Sequence, residues 1–162
     1  MKTIIHDLDK KNLKKLKFND CDYIIDANTC KYTCIGCFSC WIKHPKKCIY
    51  KDSYSNMADI LKNTDELIII SKSRYGCYSS SIKRVLERSI GYVLPYFTIR
   101  NNMIHHLSRY DKKLKITALF YGDINELDKE NLYNLVKANS INFNASSFDV
   151  KYFKEIKNVY ID

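Results

Sequence analysis

Four aliphatic residues in a row, Leu67-Ile68-Ile69-Ile70, form the longest strictly aliphatic run in the chain. A strand with one wet face alternates apolar and polar residues. An unbroken run needs cover on both faces, as a strand inside a parallel sheet has. The rest of the chain supplies the partners such a strand requires. Residues 3–6, 23–26, 114–121 and 147–153 read as further strands, with Ile116, Ala118 and Phe120 alternating in the fourth. Between them lie helical periodicities. Residues 9–18 place Leu13 and Leu16 on one side, and residues 53–62 carry Met57, Ile60 and Leu61. Residues 79–90 align Ile82, Val85, Leu86 and Ile90, with Ser79, Ser80 and Ser81 offering an N-cap. Residues 128–139 turn Leu132, Leu135 and Val136 inward.

Five strands alternating with helices predict an α/β chain with a doubly wound, mostly parallel sheet. At 162 residues the expected architecture is a flavodoxin-like three-layer sandwich, a five-stranded parallel sheet of order 2-1-3-4-5, as a single domain over residues 1–162. Residues 91–113, with Asn101-Asn102 between two aromatic-rich segments, fit a hairpin excursion, and a polar tail follows residue 153. Ligands of such sheets sit beyond the carboxyl ends of the strands, near the point where strand order reverses. The loops after Ile5, Asp26, Ile70 and Tyr121 are therefore the expected functional edge. Two of them stand out: residues 27–51, rich in cysteine, and residues 71–79.

Composition narrows the function classes. Hydrophobic residues are 46%, charged residues 28%, Gly 4 and Pro 2, which excludes disordered and collagenous chains. Nothing approaches the ~20 apolar residues of a membrane helix. The first residues carry no sustained apolar stretch, so a signal peptide is not expected and the predicted location is cytoplasmic. The net charge is +9, from 22 Lys and 5 Arg, and Lys10, Lys11, Lys14, Lys15 and Lys17 crowd one segment. Lys, Asn, Ile and Tyr share A/T-rich codons, and base readers favour Arg. A solvated basic surface is the preferred reading, and nucleic acid is not an expected partner.

Seven cysteines, an odd number, do not suit a secreted disulfide scaffold. Cys34, Cys37, Cys40 and Cys48 read C-x2-C-x2-C-x7-C within fifteen residues. That pattern points to a reducing compartment and to metal, cluster or thiol chemistry.

Cys34-Ile35-Gly36-Cys37-Phe38-Ser39-Cys40-Trp41, continuing through Cys48 to Asp52, resembles the segment after the second strand in NAD(P)H-dependent FMN reductases and iron–sulfur flavoproteins. The next loop and helix are similar to theirs as well. In that family the loop reads S-P-x-Y-x-G, then a small N-cap, a Lys and a terminal D-R. Ser71, Gly76, Ser79, Lys83 and Arg88 fit it, with Glu87 for the Asp, Lys72 for the Pro and Arg74 for the Tyr. His106, Arg109 and Tyr110 resemble an H-x-x-R-Y element of some members.

The resemblance implies an FMN-dependent NAD(P)H oxidoreductase, a homodimer, passing electrons through flavin to a quinone-like or other small acceptor. It implies Ser71, Ser73, Arg74, Tyr75, Gly76, Cys77 and Tyr78 as the cofactor-binding residues, and it names no catalytic residue. It also implies an alternative, an iron–sulfur flavoprotein electron carrier with a [4Fe–4S] cluster on Cys34, Cys37, Cys40 and Cys48. Zinc fits that spacing less well, because structural zinc sites use two separated C-x2-C knuckles. A thiol redox set beside Lys43, Lys46 and Lys47, or simply free cysteines, also fits. Cys21, Cys30 and Cys77 read as lone cysteines, with Cys77 near the flavin.

One segment pulls the other way. FMN phosphate in such folds sits in a Ser/Thr/Gly-rich loop after the first strand. Here that place reads Ile5-His6-Asp7-Leu8-Asp9-Lys10, with two carboxylates and neither Gly nor Ser. Asp7 and Asp9 repel a phosphate dianion unless Lys10, Lys11 or Arg74 compensates. A flavodoxin-like binding module that has lost FMN is the third expectation. Trp41 and Phe38 read as packing residues, His105 and His106 as structural, and Arg88 as a structural salt bridge or helix C-terminal contact.

Overall fold

A computed structural model describes residues 1–17, 22–100 and 102–161. Phe18, Cys21 and Asn101, on which the sequence expectations also touched, lie outside the described residues. Strands β1 (Lys2–His6), β2 (Tyr23–Asp26), β3 (Glu66–Lys72), β6 (Lys115–Tyr121) and β7 (Ser147–Phe153) form a five-stranded parallel sheet in the order β2-β1-β3-β6-β7. Leaving out the β4–β5 ribbon (Val93–Arg100 and Met103–Ser108), this is the order 2-1-3-4-5 of the flavodoxin-like fold. Helices α1 (Lys10–Leu13), α2 (Met57–Asn63), α3 (Ser80–Arg88) and α4 (Glu126–Asn142) complete the chain.

The aliphatic run in β3 divides its side chains between the two faces. Leu67 and Ile69 join Ile5, Ile116, Ala118 and Phe120 in the larger core, under residues of α2, α3 and α4. Ile68 and Ile70 join Ile4 and Leu119 in a smaller core on the opposite side. That second face has thin cover. Leu13 and Leu16 pack on it from the α1 segment, and Leu8, Ile156, Val159 and Ile161 supply the rest. The tail expected to be polar is thus part of the packing, with Val159 buried.

All four helices differ in length from their sequence patterns: α3 ends at Arg88, with Ile90 in the 3-10 turn that follows, and the other three differ for local reasons. The helix expected over 9–18 is a single turn, α1, capped by the Asp9 carboxylate on Asn12 N–H at 2.8 Å. Lys10 and Lys14, and Lys11 and Lys15, stand at i,i+4 spacing, where like charges disfavour helix. Helix α2 begins at Met57 instead of 53, because the Asp52 carboxylate accepts from Tyr54 N–H and draws residues 52–55 into a turn. Helix α4 begins earlier than expected, where Asn125 and Asp128 form a capping box. Asp128 is its third residue and not its first.

Phe120 is fully buried between Tyr78 and Tyr152. Phe120→Ala opens a cavity at the centre of the larger core, and it should lower the unfolding free energy by about 3–5 kcal/mol in denaturant titration.

Candidate functional site

The carboxyl ends of β1, β3 and β6 meet at Asp7. Its carboxylate accepts from Lys72 N–H at 2.9 Å and from the Tyr121 hydroxyl at 3.0 Å. Asp7 N–H in turn donates to Ile70 O at 3.2 Å. Burial, and then the Asp7 charge, hold the Tyr121 hydroxyl well above the ordinary phenol range. Beside it Asp9 caps α1 with its own carboxylate. The edge after the first strand is therefore already filled by two acidic side chains that use the local N–H donors.

The loop after β3 is fastened at its base. Ser71 is wholly buried; its hydroxyl donates to Lys72 O at 3.0 Å and accepts from Ser79 N–H at 2.9 Å. Ser73 N–H donates to Tyr121 O at 2.9 Å. At the tip, Arg74 and Cys77 exchange backbone bonds of 2.9 and 3.0 Å around Tyr75 and Gly76. Tyr75 (φ 53°) and Gly76 (φ 64°) are both left-handed, as a type I′ turn demands. A Cβ at Gly76 would meet the Asn131 side chain of α4 at 3.0 Å, so the turn leans on α4 where only glycine fits. Tyr75, at the tip, is 99% exposed.

Between this loop, the β1 edge and the start of α3 lies a cavity of about 630 Å³. Asp7, Asn28, Lys72, Arg74, Tyr75 and Tyr121 line one side, and Tyr78, Ser79, Ser80, Ser81 and Lys83 the other. Of the residues expected to hold a cofactor, Arg74, Tyr75 and Tyr78 line it. Ser71, Ser73, Gly76 and Cys77 do not line it and shape the loop behind it. Lys72, Lys83 and the serines of α3 were not singled out as cofactor residues. The signal for them was the N-cap run Ser79-Ser80-Ser81 opening a helix at the functional edge.

The cysteines form a second site. Cys34, Cys37, Cys40 and Cys48 all line one cavity of about 460 Å³, together with Trp41, Tyr50 and Arg88. Burial, and then the neighbouring Cys34, Cys48 and Cys37 thiols, push the Cys40 thiol up. Among the described residues no three His, Cys, Asp or Glu side chains converge as a single metal ion requires. Cys30 is buried under Arg88, and Cys77 stands half-buried in the turn away from this cavity.

The cysteine segment is built as an open loop. Among the described residues, no N–H from 31 to 40 donates to a backbone carbonyl, whereas residues 41–44 and 46–48 donate in turns. Gly36 (φ 64°) and Phe38 (φ 56°) are left-handed between the cysteines. The loop is anchored at its far end by Asp52, whose carboxylate takes both terminal nitrogens of Arg88, at 2.7 and 2.5 Å. The Arg88 bond holds the Asp52 carboxyl below its ordinary range, against the opposing effect of burial.

The aromatic and histidine residues pack. Trp41 donates to Val93 O at 2.9 Å and stacks near Phe38. His106 lies 4.9 Å by ring centroid from both Trp41 and Phe97, and His105 Nδ1 meets Asn142 Oδ1 at 2.9 Å. Arg109 donates to Gly91 O at 3.0 Å. Lys10, Lys11, Lys14, Lys15 and Lys17 are exposed. No helix of the described residues is long and apolar enough to cross a membrane.

No family model matches the chain, and no curated protein matches it in sequence. Its fold is shared with solved structures. An FMN-dependent NADH-azoreductase from Bacillus anthracis, in complex with FMN, superposes with a TM-score of 0.54 at 11% identity, covering 93% of this chain and 85% of that one. The azoreductase AzrA gives a TM-score of 0.54 at 12% identity, with the same coverage of both chains.

Removing Asp52 leaves the wholly buried Arg88 side chain uncompensated, so Asp52→Asn should cost up to about 3–5 kcal/mol at pH 7. The carboxyl titrates lower in the folded chain than its ordinary 3.8. Its contribution is therefore fully present above that value and is lost as pH falls through the depressed folded value. The stability gap between wild type and Asp52→Asn should narrow on acidification below pH 3.8, read by denaturant titration at successive pH values.

Proposed function

We propose that the chain is an FMN-dependent NAD(P)H oxidoreductase acting on a small, quinone-like acceptor. The observation that carries the reading is the cavity at the carboxyl edge of the sheet, walled by the loop that resembles the flavin-contacting loop of FMN reductases. Its volume of about 630 Å³ lies in the range of cofactor pockets. Solved proteins of the same fold include FMN-dependent azoreductases.

The donor set supports a phosphorylated, planar ligand, with one change from the usual layout. The β1 loop cannot take the phosphate, because Asp7 and Asp9 fill it. Lys72, Arg74, Lys83 and the serines at the start of α3 would hold the phosphate instead, where helix N–H groups and three cations favour an anion. The Tyr75 and Gly76 N–H groups, which the turn leaves free of backbone bonds, would face the ring edge. A bound FMN supplies hydride acceptance and electron transfer there. The chain would hold the ring against the turn and neutralise the phosphate, while Lys72 N–H and Tyr121 keep Asp7 occupied.

FMN titration followed by visible absorbance tests this. Binding should perturb the flavin bands, and Arg74→Ala or Lys83→Ala should each weaken binding at least about tenfold. Folded protein that leaves FMN unaffected would instead support a flavodoxin-like module that has lost the cofactor.

A second reading is favoured by the shared cysteine cavity: an iron–sulfur flavoprotein with a [4Fe–4S] centre on Cys34, Cys37, Cys40 and Cys48. A single zinc ion draws every sulfur to ~2.3 Å. Sulfurs set around a larger cavity suit a multi-atom centre, in which each meets its own iron. The free N–H groups of the loop and the buried Arg88 guanidinium suit its negative charge.

The homodimer finds its support in the β4–β5 ribbon. Phe97, Ile99 and Ile104 are about 70% exposed on one face of the ribbon, and Tyr96, Met103 and Leu107 are exposed on the other. A two-stranded ribbon is marginal by itself, and a second copy of the chain would cover it. Sedimentation velocity should give a dimer for the wild type and a monomer for Ile99→Asp combined with Ile104→Asp. A monomeric wild type at micromolar concentration would sink the dimer.

A further inference from the structure

Arg88 closes α3 with a side chain that has no exposed surface. A buried guanidinium is costly unless its charge and its five donors are met. Asp52 meets Nη1 and Nη2, and Cys30 Sγ lies 3.5 Å from Nη1. The Tyr50 and Tyr54 rings lie 5.4 and 5.6 Å from the guanidinium carbon. Its Nε–H is buried with no partner. Arg88 also lines the cavity that the four cysteines share. The Cys48 sulfur also draws on the guanidinium, so a buried cation stands against one of the four thiols at the wall of the cavity they share, the complement of an anionic sulfur centre.

We propose that Arg88, held in place by Asp52, is the charge partner of a centre bound by Cys34, Cys37, Cys40 and Cys48, and that the pair sets the reduction potential of that centre. The proposal rests on the four-cysteine reading. A centre with four thiolate ligands carries net negative charge. One electron taken from a reductant such as dithionite adds one more, and no bond to the chain is made or broken. A fixed cation beside the centre stabilises the reduced state more than the oxidised one, which raises the potential. A carboxylate at the same place opposes this. Asp52 thus has two effects: it orients the guanidinium, and it offsets part of its field.

The test is anaerobic reconstitution of the full chain with ferrous iron and sulfide. Iron and sulfide content are measured first, and the potential is then read by dithionite titration of the visible absorbance. Wild type, Arg88→Gln, Arg88→Lys and Asp52→Asn are compared. Arg88→Gln should shift the potential down, Asp52→Asn should shift it up, and Arg88→Lys should stay nearer the wild type, because it keeps the charge. A purely structural ion pair cannot give opposite signs from its two halves, so shifts in one direction, or none, overturn the proposal. If the Arg88 variants do not fold, Asp52→Asn decides alone: a raised potential supports the proposal and an unchanged one overturns it. A wild type that retains no iron defeats the four-cysteine reading and the proposal with it. A wild type that retains iron while the variants keep its potential defeats the proposal alone.

Discussion

The ion pair between Arg88 and Asp52 joins two parts of the chain that are otherwise loosely connected. Residues 31–40 contribute no backbone ladder, and many of their side chains are exposed. A segment with so few internal bonds needs an external anchor to hold one geometry. Asp52 provides it at the end of the loop, and α3 receives it through Arg88. The same carboxylate shapes the turn that precedes α2, through Tyr54 N–H. Cys30, at the near end of the loop, touches the guanidinium from the other side. One buried cation therefore fixes both ends of the cysteine loop against a single helix. Burial opposes its charge, and the bonds to Asp52, Cys48 and Cys30 outweigh burial and hold it protonated.

The edge of the sheet illustrates a different use of charge. In a parallel sheet the N–H groups beyond the strand ends are unpaired and attract anions. Here side chains of the protein itself take that place. Asp7 accepts from Lys72 N–H, and Asp9 caps a helix of one turn. The donors left for an external anion lie on the far side of the cavity, at the longer helix α3. Asp7 after β1 and the Ser79-Ser80-Ser81 run with Lys83 thus line one cavity together.

Much of this was legible in the chain itself. The run from Leu67 to Ile70 required cover on both faces, and its side chains do alternate between two cores. Periodicity located all four helices, because each has apolar residues at helical spacing. It missed their ends where charge or capping decided them: crowded lysines shorten α1, and Asn125 with Asp128 starts α4 early. Periodicity also could not see that the tail residues Ile156, Val159 and Ile161 cover a sheet face, since isolated apolar residues in a polar stretch carry no period. At the edge of the sheet, sequence pattern pointed to loops whose residues line the two cavities. It did not separate Arg74 and Tyr75, which line the cavity, from Ser71, which fastens the loop base. That distinction depends on where each side chain points, and a loop motif does not encode it.

Helix α3 ties the two sites together. Its first turn, with Ser80, Ser81 and Lys83, walls the cavity at the sheet edge, and its last residue, Arg88, walls the cysteine cavity. Nine residues of helix span roughly 13 Å. A third cavity, of about 310 Å³, runs along the same helix, sharing Lys83 with the first and Glu87 with the second. The helix dipole favours an anion at the first end and a cation at the other; Arg88 matches the second preference, and the first turn holds no acidic residue. Fully buried Ile82 and Val85 fix α3 to the sheet, so the two sites are held at a set distance by the best-packed element that touches both. Under the function proposed above, α3 is the rigid spacer between the flavin cavity and the cysteine cavity.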